Sequence, residues 1–194
     1  MALIETVTTA SGQTTLVNGT PRLTVDTTGV TVSGTFAGGS GYPGGVRQIV
    51  YAQTGVQSSG AATIPYDNTI PQQTEGWEVM TCSITPQSST SKLIVTAVLN
   101  CSSSFAGSST VMMALFRDAT ANAIGVSFAQ ASLQYANVLL VAQVSVTSGS
   151  TSSTTFKMRM GGNAGTTFSN GQQANGAVFN GTSATSLMIM EVGA

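Results

Sequence analysis

The chain has 194 residues, a formal net charge of −1 and only 7% charged residues, against roughly 25% in ordinary globular chains. It offers no basic face to phosphate backbones, so nucleic acid is excluded as a partner, while 41% hydrophobic residues suffice for a core. The longest apolar runs, such as Val138 to Ala142, fall far short of the roughly 20 residues of a spanning helix, and the opening MALIETVTTASG lacks the basic and apolar regions of a secretory signal, so no membrane partner is expected.

Hydroxyl replaces charge: Ser and Thr make up roughly a quarter of the chain. Thr and Val favour pleated, half-buried surfaces, Ser and Gly favour turns, and no long capped stretch repeats every 3.6 residues. The composition is all-β. Before residue 40, LVNGTPRLTVDTTGVTVSGTF alternates β pieces with turns at Asn18-Gly19 and Thr28-Gly29. Such a ribbon is marginal alone and gains stability when copies from several chains intertwine. AGGSGYPGG (Ala37 to Gly45) then reads as a linker. The expected division is an arm and linker over 1–45 and a head over 46–194.

From Val46 the strands lengthen. They are expected at Val46 to Thr54, Trp77 to Ile84, Ser91 to Cys101, Thr110 to Asp118, Ala123 to Ala129, Ala136 to Val146, Thr154 to Gly162 and Ala184 to Val192. Met80, Cys82 and Ile84 share one face, and Phe156, Met158 and Met160 point inward with Lys157 and Arg159 outward. About eight strands between Gly/Ser/Asn turns predict an antiparallel, jelly-roll-like β-sandwich with an extended N-terminal β arm. Strands 91–101 and 136–146 are apolar on both faces, whereas a sandwich strand is polar outside. The outer face is therefore expected to meet identical subunits, with Ile94, Val98, Leu187 and Ile189 as interface candidates.

Between the first strands of the head lies TIPYDNTIPQQTEGWE (Thr63 to Glu78). Pro65 and Pro71 hold Ile64 and Ile70 extended and donate nothing to a ladder. This reads as a stiff connection crossing an end of the sandwich, with Ile64, Ile70 and Tyr66 pinned to the core. Asp67, Asn68 and Glu75 carry hard oxygens for calcium, but the D-x-[DN]-x-[DN]-G spacing is missing; turn-holding bonds are the other reading. GGNAGTTFSNGQQANGAVFNGTS (Gly161 to Ser183) sets Asn170, Gln172, Gln173 and Asn175 beside Phe168. Amides with an aromatic suit a surface glycan; a run of hairpin turns explains the same residues.

Catalysis has little to draw on. The chain has no histidine, which removes the usual neutral-pH base and the Ser-His, Cys-His and imidazole–zinc arrangements. Asp67, Glu75 and Glu78 are the one sequence-local group of carboxylates, a thin basis for a glycosidase pair. No enzyme, cofactor, metal or catalytic residue is expected. Cys82 and Cys101 read as buried thiols rather than a bridge.

TIPYDNTIPQQTEGWEVMTCSITPQSSTSKLIV resembles a module of tailed-bacteriophage virion proteins, with the pattern TIPxDxTIPQ, then EG, ITP and S…L.I. The likeness is close from Ile64 to Val95 and looser over FRDATANAI (Phe116 to Ile124) and TFKMRMGGNAG (Thr155 to Gly165), and PRLTVDTTGVTVSGTF is similar to stretches near the base of phage fibres. The resemblance implies a virion component: a short homotrimeric tail fibre or spike attaching to the host surface by avidity, mounted on other virion proteins through residues 1–40. The alternative it implies is a capsid decoration protein that stabilises the shell.

Overall fold

The computed structural model describes residues 4–9, 12–17, 20–26, 29–31, 45–172 and 176–194. The chain divides into two compact units, Met1–Tyr42 and Pro43–Ala194. The first holds an antiparallel meander of β1 (Ile4–Thr9), β2 (Gly12–Val17), β3 (Thr20–Asp26) and β4 (Gly29–Thr31), each paired with the next. The Asn18-Gly19 and Thr28-Gly29 turns fall wholly or partly outside the described residues.

The second unit, the head, contains β5 (Val46–Thr54), β6 (Ser58–Gly60), β7 (Trp77–Ile84), β8 (Lys92–Ser103), β9 (Ser109–Arg117) and β10 (Gly125–Ala131). It continues with β11 (Val138–Thr147), β12 (Thr154–Gly162), β13 (Thr167–Ser169), β14 (Gly171–Gln172), β15 (Gly176–Ala177) and β16 (Thr185–Val192). One sheet runs β10-β9-β12-β7. The other runs β5-β16-β8-β11, with β13 continuing the line of β16 along β8 and β6 paired to β13. All named pairs are antiparallel, and the fold is the all-β, jelly-roll-like sandwich that the strand spacing predicts.

Alternation along each strand builds the core. Leu93, Val95, Ala97 and Leu99 on β8, with Leu187 and Ile189 on β16, meet Val111, Met113 and Leu115 on β9 and Phe156, Met158 and Met160 on β12. Each of these twelve side chains has no exposed area. The pair Leu187 and Ile189 therefore faces inward, not toward a neighbouring subunit. Register explains the difference from expectation: Leu187 pairs Ala97 and Ile189 pairs Val95, whereas Met188 and Met190 pair Thr96 and Ile94 on the outer face.

The segment between β6 and β7 is a strap over the outer face of the sheet β10-β9-β12-β7. It bridges in parallel from Thr63 to Gly162, and at its far end Gln73 N donates to Ala121 O at 2.9 Å. Ile64 is fully buried against Met112, Ala114 and Phe116, the outward residues of β9. This is why β9 is buried on both faces. Of the three residues expected to pin this segment, only Ile64 does so. Ile70 is 55% exposed, and Tyr66, 61% exposed, rests on Phe128 with ring centroids 5.4 Å apart. Ile64, with Ala123 beside it, packs over β9, and Ile70 stays outside that cluster.

Candidate functional site: an uncovered sheet face

Among the described residues of the head, the outer face of the second sheet has no such strap. Register places its residues in rows across four strands. One row is Ile49, Met190, Ile94 and Ser145; the next is Tyr51, Met188, Thr96 and Gln143; the third is Gln53, Ser186, Val98 and Val141, with Leu139 and Asn100 beyond. Ile49 and Tyr51 on β5, and Leu139 and Val141 on β11, are each more than half exposed. Ile94, Val98, Met188 and Met190 between them are half-buried by their neighbours. No charged side chain projects between Ile49 and Val141 along these rows. The result is a continuous apolar strip running diagonally over the sheet.

The strip stands on a rigid base. Glu191 is wholly buried beside β5 and is a carboxylate acceptor for three groups. Gln48 Nε2 donates to it at 2.6 Å, Gln87 N at 2.9 Å and Ser88 N at 3.2 Å. Burial by itself pushes this carboxyl up; the bonds from Gln48 and from the Gln87 and Ser88 backbone outweigh that and hold it below its ordinary value. Gln48 Nε2 also donates to Thr85 O at 2.7 Å. Glu191 thus ties β5 and β16 to the loop after β7, an acid-to-backbone anchor that sequence reading missed. A lone Glu in an apolar strand, LMIMEV, was its one signal.

The other sequence candidates lie elsewhere. Phe168 is 5% exposed on β13, packed edge-on against Tyr135 at 6.1 Å, and offers no free ring to a sugar. Asn170 is equally inaccessible: its Nδ2 donates to Thr54 O at 2.9 Å and Val56 O at 3.0 Å, and its Oδ1 accepts from Thr185 Oγ1 at 2.8 Å. Gln172 Nε2 donates to Tyr135 O at 2.6 Å. Gln173 and Asn175 lie outside the described residues. Asn170 and Gln172 hold backbone segments together and Phe168 is covered, so these three are not free to contact a glycan.

The acidic stretch behaves likewise. Asp67 Oδ1 accepts from Thr69 Oγ1 at 2.6 Å and Thr69 N at 2.7 Å, which together hold its carboxyl below the usual range. Glu75 Oε2 accepts from Gln72 N at 2.9 Å. Gly76, at φ 63°, closes the turn by donating to Thr63 O at 2.8 Å. Arg159 fixes this corner from β12, donating from Nε to Glu75 O and from Nη2 to Gly76 O. Among the described residues, no three His, Cys, Asp or Glu side chains converge as a metal site would require. Cys82 and Cys101 are both free and buried, and burial pushes the Cys101 thiol up to about 12.

No curated protein matches this chain. Among solved structures, "Structure of Eiger TNF from S. frugiperda" covers 76% of this chain and 96% of its own at 10% identity, with a TM-score of 0.43. A family model does match: that of the Pgp3 C-terminal domain, over residues 66–194. Pgp3 is a Chlamydia protein, so the match overturns the bacteriophage reading and, with it, the tail fibre or spike, the capsid decoration protein, the virion location and the mounting through residues 1–40. In this chain the TIP segment forms the strap over the sheet. The chain belongs to the family of the Pgp3 C-terminal domain.

Proposed function

We propose that the head is a non-catalytic assembly module that associates with two identical copies into a homotrimer through the outer face of the sheet β5-β16-β8-β11. One observation carries this reading: within the head a segment packs Ile64 over one outer sheet face, while the apolar strip on the other face is covered by nothing among the described residues of the head. Contiguous exposed apolar strips of this kind mark interaction surfaces. A closed ring of identical copies covers such a face and the flanking strand edges together. Ile94 and Val98 are central to the contact, with Met188 and Met190 taking the places first expected for Leu187 and Ile189.

The non-catalytic part is supported by the absence of histidine and by the employment of carboxylates in structure: Glu191 and Glu75 on backbone amides, Asp67 on Thr69. Sedimentation equilibrium of the purified chain is expected to give three times the monomer mass. Ile94→Asp with Met190→Asp is expected to give a folded monomer, because both side chains lie outside the core. A wild-type chain that sediments as a monomer throughout the micromolar range would sink the proposal.

A further inference from the structure

The two ends of the head differ in chemistry. The chain enters at Gly45, whose carbonyl accepts from Gly193 N at 2.9 Å. Around that end lie Arg47, Lys92, Arg117, Asp118 and Glu191. At the opposite end are the connections 55–57, 104–108, 132–137 and 178–184 and the hairpin of β14 and β15. Those segments contain no Asp, Glu, Lys or Arg at all. They are built of Ser, Thr, Asn, Gln, Gly and Ala, with a few large apolar residues.

Four of those apolar side chains stand in water, one on each connection. Val56 is 69% exposed, Phe105 41%, Leu133 71% and Phe179 78%. Hydrogen bonds place the connections at one end: Gln134 Nε2 donates to Ser104 O, Tyr135 N to Ser103 O, and Asn170 Nδ2 to Val56 O. Phe179 is held at φ 51°, ψ 40°, a left-handed conformation that a bulky residue keeps only when its surroundings impose it. Val178 N donates to Asn170 O, and Thr182 donates to Phe179 O from both N and Oγ1. The constraint holds the ring outward. Neighbouring backbone donors are already used: Val56 N on Thr54 Oγ1, Ser104 N on Thr166 O, Gly107 N on Phe105 O and Ala136 N on Leu133 O.

We propose that this uncharged end docks on the interfacial layer of a lipid bilayer, through Val56, Phe105, Leu133 and Phe179, without requiring charged headgroups. Three properties fit that partner together. Large apolar side chains at loop crowns can enter the headgroup–acyl boundary. Neutral amides and hydroxyls around them sit at headgroup depth with no ion to strip of water. Backbone donors already bonded to neighbouring groups remain bonded when water leaves. The contact is peripheral: no helix among the described residues is long and apolar enough to cross a membrane. It belongs to the head alone and holds for a single copy; repetition in a ring would add avidity.

The test uses the full chain and phosphatidylcholine vesicles in a flotation assay. The wild-type protein is expected to float with the vesicles, equally at low and high salt. The variant carrying Phe105→Ser, Leu133→Ser and Phe179→Ser should keep its size and melting temperature, and its bound fraction should fall about tenfold or more. A separate Phe105→Trp variant should show a blue shift on vesicle addition and shielding from an aqueous quencher. Failure to float with neutral vesicles overturns the proposal. So does capture that needs anionic lipid and vanishes at high salt, or a triple variant that floats like wild type. Because the variants leave the Ile94–Met190 face intact, sedimentation reports the oligomer separately.

Discussion

Glu191 is the residue whose chemistry most outruns its place in the sequence. A buried carboxylate with three donors is stable only while ionised, since protonation weakens each bond it accepts. Its folded-state value lies below the ordinary 4.5. The stability it contributes is therefore complete above 4.5 and is lost as pH falls through the depressed folded value. Glu191→Gln is expected to cost about 2 kcal/mol at neutral pH and to flatten the loss of stability on acidification, as read by denaturant unfolding at several pH values. Cys101 gives a second expectation at this scale. With its thiol pushed up to about 12, it should resist thiol reagents in the folded chain and react once the chain unfolds, while Cys82, 9% exposed, should react slowly. Fast modification of Cys101 under native conditions would contradict its burial.

At the scale of elements, the strap and the sheet it covers show what the sequence made legible. All eight long strands were visible as apolar runs between turn residues, because alternation and turn chemistry are local. Phe156, Met158 and Met160 point inward as expected because β12 alternates cleanly with Lys157 and Arg159. LMIMEV does not alternate in polarity, so its phase was set only by pairing with β8, and local reasoning chose the wrong pair. Ile64 and Ile70 carry the same TIP signature, yet only Ile64 meets the Met112–Phe116 face; that choice is tertiary. Ile64→Ala should cost about 2–4 kcal/mol by leaving a cavity over β9. Gly161→Ala should harm the same element differently, because a Cβ there would stand 2.6 Å from Ile64 N and 2.9 Å from Ala62 O. Both losses are measurable as lowered melting temperature, and the pair should be less than additive, since they disturb one contact. The amide-rich segment 161–183 was distinctive in composition, but whether an Asn side chain faces a ligand or a carbonyl two strands away is invisible without the fold.

For the whole molecule, the order of strands matters more than any one contact. β5 pairs with β16, and β7 with β12, so both sheets join segments far apart in sequence. β16 is the final strand of the sequence, and it lies in the interior of its sheet, between β5 and β8. A growing polypeptide emerging from the ribosome must hold β5 and β8 without their shared partner until β16 has been made. During that interval Val95, Ala97 and the flanking strand edges are open to other nascent chains. A stop codon in place of Thr185, the first residue of β16, should therefore yield aggregates rather than a shortened head, and a slow, chaperone-sensitive maturation is built into the topology.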